Sequence, residues 1–397
     1  MTLDAEDERR TFAFTDHLDV GVRPVARPLV PARVLAAALL VVTVLAVTPA
    51  LLGHRTGTVS AFGPARNGLI GWAIDGDIVV GDPSTGTTNA LVAAPGLARN
   101  PVFSPDGARL AFLRQVRTDQ GGFDLFVSGA DGSGPVMLSA VPMPMPDAVE
   151  WAPDSRSLLV EEKGGRLLRY PANGTQAQVV VDGVHLEPGA SRPPVGAELL
   201  FERTAEPGVL YVMARDGSHP RELIGPGTEA CPCTVAGPAR WSPDGATVAF
   251  TIRLGSTESR IYLVGADGTG LRRLTSEAGP AIELDPTWSP VGDRVAFNRW
   301  SDETGRSQIR PIGIVAATGG PIESAGVAPA EEGALIEWSP DGRSILSLPK
   351  TLIDAYASYP DGTGSVARPV FIDVADGSSR QLDWSVGSIA SWQRRAP

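Results

Sequence analysis

A five-residue signature recurs along this chain and constrains its fold more than any other feature. It reads F-S-P-D-G at 103–107 and W-S-P-D-G at 241–245 and 338–342. Near copies, W-A-P-D-S and W-S-P-V-G, stand at 151–155 and 288–292. A degenerate copy, R-P-P-V-G at 192–196, is recognised because A-E-L-L-F follows it as A-x-x-A-F follows elsewhere. With Trp392 the anchors fall at 103, 151, 192, 241, 288, 338 and 392, so the repeat is 41 to 54 residues long. One four-stranded unit per repeat has this length.

Each copy parses into local chemistry. A short strand ends at the aromatic residue. Pro-Asp-Gly then turns the chain: Pro presets φ, Asp bonds its own backbone, and Gly accepts φ > 0. An alternating strand follows, such as T-V-A-F-T-I at 247–252, and then a variable loop and a third strand, such as I-Y-L-V-G at 261–265. Asp-Gly pairs at 131, 216, 267 and 376 mark a second tight turn into an outer strand over residues such as 271–275. Gly (45 residues) and Pro (35) are abundant without a collagen period, which suits many short strands joined by turns.

Closure sets the number of units. Residues 69–93 supply three strands (69–74, 77–81, 89–93) with no signature strand before them. Residues 388–393 carry the missing pattern at the other end. Pairing them removes an open sheet edge. The expected fold is all-β, a seven-bladed β-propeller preceded by one transmembrane helix. Six blades is the alternative if the copy at Arg192 builds none.

These motifs resemble the PD40 (WD40-like) repeats of TolB and related extracytoplasmic propellers, over about residues 69–393. The resemblance implies the fold. It implies function only broadly, since such propellers bind proteins, sugars or peptides, or accompany a hydrolase domain. TolB-type propellers usually have six blades, so seven is a departure. No G-x-S-x-G elbow occurs, and no appended hydrolase domain is expected.

Residues 34–53 (VLAAALLVVTVLAVTPALLG) carry no charge and are long enough to cross a bilayer as a helix. Arg23, Arg27 and Arg33 precede them, which places the N-terminus in the cytoplasm and the rest outside. A signal anchor at the cell membrane, single-pass, is the reading adopted; a cleaved signal peptide is its rival, with a long leader against it. The expected organisation is a disordered cytoplasmic tail (1–33), a transmembrane helix (34–53) in contact with the lipid bilayer, a stalk (54–67) and a propeller (68–397). Scarce lysine among abundant arginine hints at a bacterial source. The formal charge of −11 opposes wrapping nucleic acid, so none is expected as a partner.

Site chemistry is sparse. His185 and His219 fall in a linker and a turn and read as isolated surface residues, so no metal is expected. The Asp-Gly pairs lack the order of a calcium loop, and no cofactor motif appears. The regular recurrence of the tryptophans argues for packing between blades rather than sugar stacking. Cys231 and Cys233, in a linker, allow three readings: a local disulfide, free or intermolecular thiols, or a redox or soft-metal role.

Strand alternation puts the signature turn and the Asp-Gly turn at one end of each blade. The connections between middle strands (114–122, 253–259, 301–307, 349–368) and between blades (141–147, 225–239, 276–285, 324–333) share the other end. That end carries nearly all the length variation, and surface loops on a rigid frame are where binding resides. Its acids, Asp119, Glu258, Glu283, Asp285, Asp302, Glu303, Glu331, Glu332 and Asp354, are the candidate partner-binding residues, with a preference for basic or polyhydroxylated groups. No catalytic residue is singled out. The leading expectation is a non-catalytic scaffold for an unknown protein, peptide or cell-envelope glycan. A transmembrane sensor acting through the tail, and a propeller enzyme such as a carboxylate-dependent glycosidase or lyase, stay open.

Overall fold

The computed structural model describes residues 64–396, except 94–95, 116–121, 188, 190–197, 226–233, 256–257, 277–280, 301–309, 329–333, 350–366 and 389. The tail, the apolar run 34–53 and most of the stalk therefore lie outside the described residues, as does the Cys231–Cys233 pair. No helix among the described residues is long and apolar enough to cross a membrane.

Strands β1 (Arg66–Ile74), β2 (Asp77–Gly81) and β3 (Thr88–Val92) begin the first blade. Blade 2 holds β4 (Ala98–Phe103), β5 (Arg109–Arg114), β6 (Asp124–Gly129) and β7 (Val136–Met137). Blade 3 holds β8 (Ala148–Trp151), β9 (Ser157–Glu162), β10 (Arg166–Pro171) and β11 (Gln178–Val181). Blade 4 is β12 (Val184–Leu186), β13 (Glu198–Arg203), β14 (Glu206–Ala214) and β15 (Arg221–Ile224). Blade 5 is β16 (Arg240–Trp241), β17 (Thr247–Arg253), β18 (Ser259–Gly265) and β19 (Arg272–Arg273). Blade 6 is β20 (Ile282–Trp288), β21 (Arg294–Trp300), β22 (Arg310–Ala316) and β23 (Glu323–Ala328). Blade 7 is β24 (Ala334–Trp338), β25 (Ser344–Pro349), β26 (Val370–Asp373) and β27 (Ser379–Gln381), after which β28 (Ser391–Arg395) joins β1.

The seven sheets are four-stranded and antiparallel. The composite blade forms as the closure argument requires: Ile70 faces Trp392 and Arg66 faces Arg395 in the ladder. The degenerate copy is a true blade, which sets aside the six-bladed alternative. Its first strand, β12, nevertheless ends six residues before Arg192 rather than at the anchor. That copy's sequence has neither the Trp nor the Ser of the signature, and residues 190–197 lie outside the described residues.

The signature turn is built from its own residues. Ser104 Oγ donates to Asp106 Oδ1 (2.5 Å) and accepts from Arg109 N (2.9 Å), while Asp106 Oδ1 also takes Ala108 N (3.0 Å). Ser242 with Asp244 and Ser339 with Asp341 repeat this. Where Val291 replaces the aspartate, Asp293 receives the Ser289 hydroxyl instead (2.7 Å).

The tryptophans staple blades together. Trp151, Trp288 and Trp338 each donate their indole N–H to a carbonyl of the preceding blade's first strand: Val102 (2.9 Å), Arg240 (3.1 Å) and Thr287 (3.2 Å). Each acceptor is the residue just before that blade's own anchor. The Asp-Gly turns are also interfaces: Gly217 (φ 85°) has the Val180 carbonyl of blade 3 only 2.6 Å from where a Cβ would stand. Arg221 Nη2 reaches the Ala266 carbonyl of the next blade (2.8 Å), and Arg380 reaches Pro83 across the closure (2.6 Å). Arg169 and Arg272 clasp Arg215 and Ala317 in the same way.

The core is therefore a ring of layers between blades. One layer joins Ile78 and Val80 of blade 1 to Phe103 and Phe112 of blade 2; another joins Trp72 and Trp392 of blade 1 to Leu346 and Phe371 of blade 7. Both faces of a middle strand are covered. In β17, residues 248–252 are all buried, so the alternation read in T-V-A-F-T-I separates two buried faces, not core from solvent. The first strands of successive blades pack on one another, which puts them at the axis, while outer strands such as β19 and β27 are exposed.

Candidate functional site

Antiparallel order places the signature and Asp-Gly turns at one end of the blades and the long connections at the other. Of the candidate acids, Asp119, Asp302, Glu303, Glu331, Glu332 and Asp354 lie outside the described residues. Glu258, Glu283 and Asp285 are described, and the structure brings them together where blades 5 and 6 meet.

Two of these three are not loop residues. Blade 6 begins at Ile282, so Glu283 and Asp285 belong to β20. Glu283 is 1% exposed. Its carboxylate accepts the Thr275 hydroxyl and lies 3.9 Å from Arg299, and its backbone N–H bonds Ser259 Oγ (3.1 Å). Burial pushes its carboxyl above the ordinary range, against the pull of the Thr275 hydroxyl. Arg260 is also buried and pairs with half-exposed Glu258 at 3.1 Å. Asp285 occupies a bulge with φ of 57° before Pro286 and accepts Asn298 Nδ2 at 3.1 Å. Sequence periodicity could not show this, because the partners come from β18, from Thr275 after β19, and from β21.

A second polar cluster, at blades 3 to 5, was not foreseen. His185 is neither isolated nor in a linker: it lies on β12, and its Nδ1 is 2.9 Å from Glu161 Oε1 of β9. The other oxygen of Glu161 accepts Leu186 N (2.8 Å), so one buried carboxylate ties blade 3 to the first strand of blade 4 by two bonds. Glu187, 3% exposed, ties that strand onward by accepting Ala239 N of blade 5 (2.7 Å). Glu150 accepts the backbone N–H of Gly189. Three carboxylates thus hold β12 and the residues just after it, in the one blade whose anchor lacks an aromatic residue. The alternating H-L-E at 185–187 was the available signal.

The electrostatics follow from this packing. The hydrogen bond to Glu161 holds the His185 imidazole well above its usual range, at about 9, although the side chain is 56% exposed. Burial pushes the Glu187 carboxyl up to about 8, helped by the charge of Glu202 and opposed by the Ala239 N–H, His185 and Arg240. At neutral pH the cluster is a neutral acid beside an imidazolium–carboxylate pair. It can hold a proton and pin strands. Glu187 is too enclosed to touch a ligand. Among the described residues, no three His, Cys, Asp or Glu side chains converge as metal ligands would.

No protein-family model and no curated protein matches the chain. Among solved structures, an oligogalacturonate lyase in complex with manganese is 15% identical with a TM-score of 0.56, covering 80% of this chain and 84% of that one. A structure from an analysis of two prolyl endopeptidases is 14% identical with a TM-score of 0.55, covering 83% of this chain and 50% of that one. TolB from Acinetobacter baumannii is 14% identical with a TM-score of 0.46, covering 92% of this chain and 74% of that one. The first two likenesses speak for the fold alone. The chain is a seven-bladed β-propeller with TolB proteins among its structural neighbours.

Proposed function

We propose that this protein is a membrane-tethered, extracytoplasmic propeller that works as a non-catalytic binding scaffold for a protein, peptide or cell-envelope glycan. The supporting observation is the asymmetry of the frame. At one end the signature turns are closed by their own Ser and Asp side chains and knit to neighbouring blades. At the other, the connections are long and varied and carry acids. The tether is supported by the uncharged run 34–53 and the arginines before it, and it would confine the search for a partner to the membrane plane.

The test is capture from intact membranes by the tagged full chain. Charge reversal at Asp302 and Glu303, and separately at Glu331 and Glu332, weakens capture and its salt dependence if the acidic end binds. Unchanged capture in both variants, with loss on substituting residues of the signature turns, assigns binding to the opposite end and ends this reading.

A further inference from the structure

We propose that the seam between blades 7 and 1 is a binding site for a small hydroxylated monocarboxylate, the chemistry of a single sugar acid. It lies at the signature-turn end, away from the acidic connections, and does not rest on the scaffold reading. In the other blades a covalent turn links the first and second strands. In blade 1 these are β28 and β1, drawn from opposite ends of the domain. A cavity of about 260 Å3 opens there, bordered by blade 1 residues at the start of β1, after β2 and in β28, and by blade 7 residues of β25, β26 and β27. That is just below the ~300–1,000 Å3 of drug-sized ligand pockets, the scale of one small ligand rather than a polymer.

The lining charges select the ligand. Arg380 and Arg395 are exposed side chains that border the cavity from facing blades. Arg380 is positioned in advance: Nη2 bonds the Pro83 carbonyl, and the guanidinium lies 5.2 Å from the Phe371 ring centroid. Asp82 is the acid on the wall. The Ser84 hydroxyl and backbone N–H hold its carboxyl below the ordinary range, so it stays ionised and its Oδ1 is occupied. Two guanidiniums against one carboxylate leave one positive charge. One carboxylate balances it, whereas a phosphate of nearly two negative charges overshoots.

The rest of the wall suits a sugar ring. Phe371 and Trp392, nearly fully buried side chains that meet edge to face at 5.8 Å, border the cavity. The hydroxyls of Ser84 and Ser344 border the same space. Asn67 is committed elsewhere, giving and receiving hydrogen bonds with Asp341 (3.1 and 3.2 Å), and so braces the wall. A ligand here bridges both strands of the non-covalent closure and stabilises the closed ring by mass action.

The experiment is calorimetric titration of the full chain with D-glucuronate, D-glucose and inorganic phosphate, together with the melting temperature at each concentration. Glucuronate is expected to bind saturably at one site per chain and to raise the melting temperature. Glucose and phosphate are each expected to bind about tenfold more weakly or not at all. Arg380→Gln and Arg395→Gln each weaken glucuronate by about tenfold, the loss of one charge-assisted contact. No saturable binding of glucuronate overturns the proposal. So does binding unaltered in both arginine variants, or phosphate or glucose binding as tightly as glucuronate. Should either variant fail to fold, the ranking of the three probes on the unmodified chain decides alone. The substitutions at 302, 303, 331 and 332 leave this binding unchanged, so the two readings fail separately.

Discussion

Replacing Glu187 with Gln separates the charge of this buried carboxyl from its shape. Glu187 accepts Ala239 N through Oε2, an acceptor that a Gln amide oxygen reproduces. Its acidity is shifted from 4.5 to about 8, with burial as the main cause. The folded chain therefore keeps the proton at pH values where the unfolded chain has lost it. Stability contributed by the protonated form is complete below about 4.5 and is lost as pH rises towards about 8. One pH unit corresponds to 1.36 kcal/mol at most, so the loss accumulated by pH 7 is about 3 kcal/mol. Gln never ionises and escapes that loss, but its amide N–H groups enter a site with no assigned acceptor, at a cost of about 1–2 kcal/mol. The variant should be more stable than the parent by about 1–2 kcal/mol at pH 7, and less stable by a similar amount at pH 4. Urea denaturation at half-unit steps from pH 4 to 9 measures this directly. His185 contributes in the same direction, since its imidazolium holds the proton up to about 9 and adds stability that is present below 6.5 and lost as pH climbs through 9. It is present in both proteins and largely cancels in their difference. Parallel stability curves for parent and variant across pH 5–8 would refute the argument.

Three further outcomes test the frame. Removing β28 exposes the edge of β1 and takes Trp392 out of its buried cluster with Phe371 and Leu346; a buried Trp alone is worth ~3–5 kcal/mol, so an unchanged melting temperature would disprove the composite blade. Trp288→Phe and Trp338→Phe should each lose about 1 kcal/mol with the inter-blade N–H bond, whereas Trp392→Phe should lose less, its indole N–H having no partner among the described residues. Equal losses would show that ring packing, not the hydrogen bond, dominates. Gly270→Ala, at φ 68° with open space around it, should cost about 1 kcal/mol, and Gly217→Ala, which also drives a methyl against the Val180 carbonyl, should cost clearly more. Denaturation midpoints of the pair decide whether close approach adds to backbone strain.

The sequence by itself determined the turns, the blade length and the closure. The Ser and Asp of W-S-P-D-G close the turn through contacts within five residues, as Ser242 with Asp244 and Thr247 shows, so the turn is complete in the linear text, whereas its Trp bonds a neighbouring blade. Closure was legible for a related reason: a first-strand pattern at Trp392 and three partnerless strands near Leu69 complement one another, and an unpaired edge is costly. Tertiary structure alone decided which charged residues are buried. Glu283 reads as a loop acid and Glu187 is not singled out, because their surroundings come from segments far away in sequence: Arg299 and Thr275 for one, Ala239 for the other. Ionic burial is a property of three-dimensional neighbours, and no periodicity along the chain encodes it. The same holds for the seam cavity. Asp82, Arg380 and Arg395 look like ordinary turn and edge residues until the ring closes and brings them around one cavity.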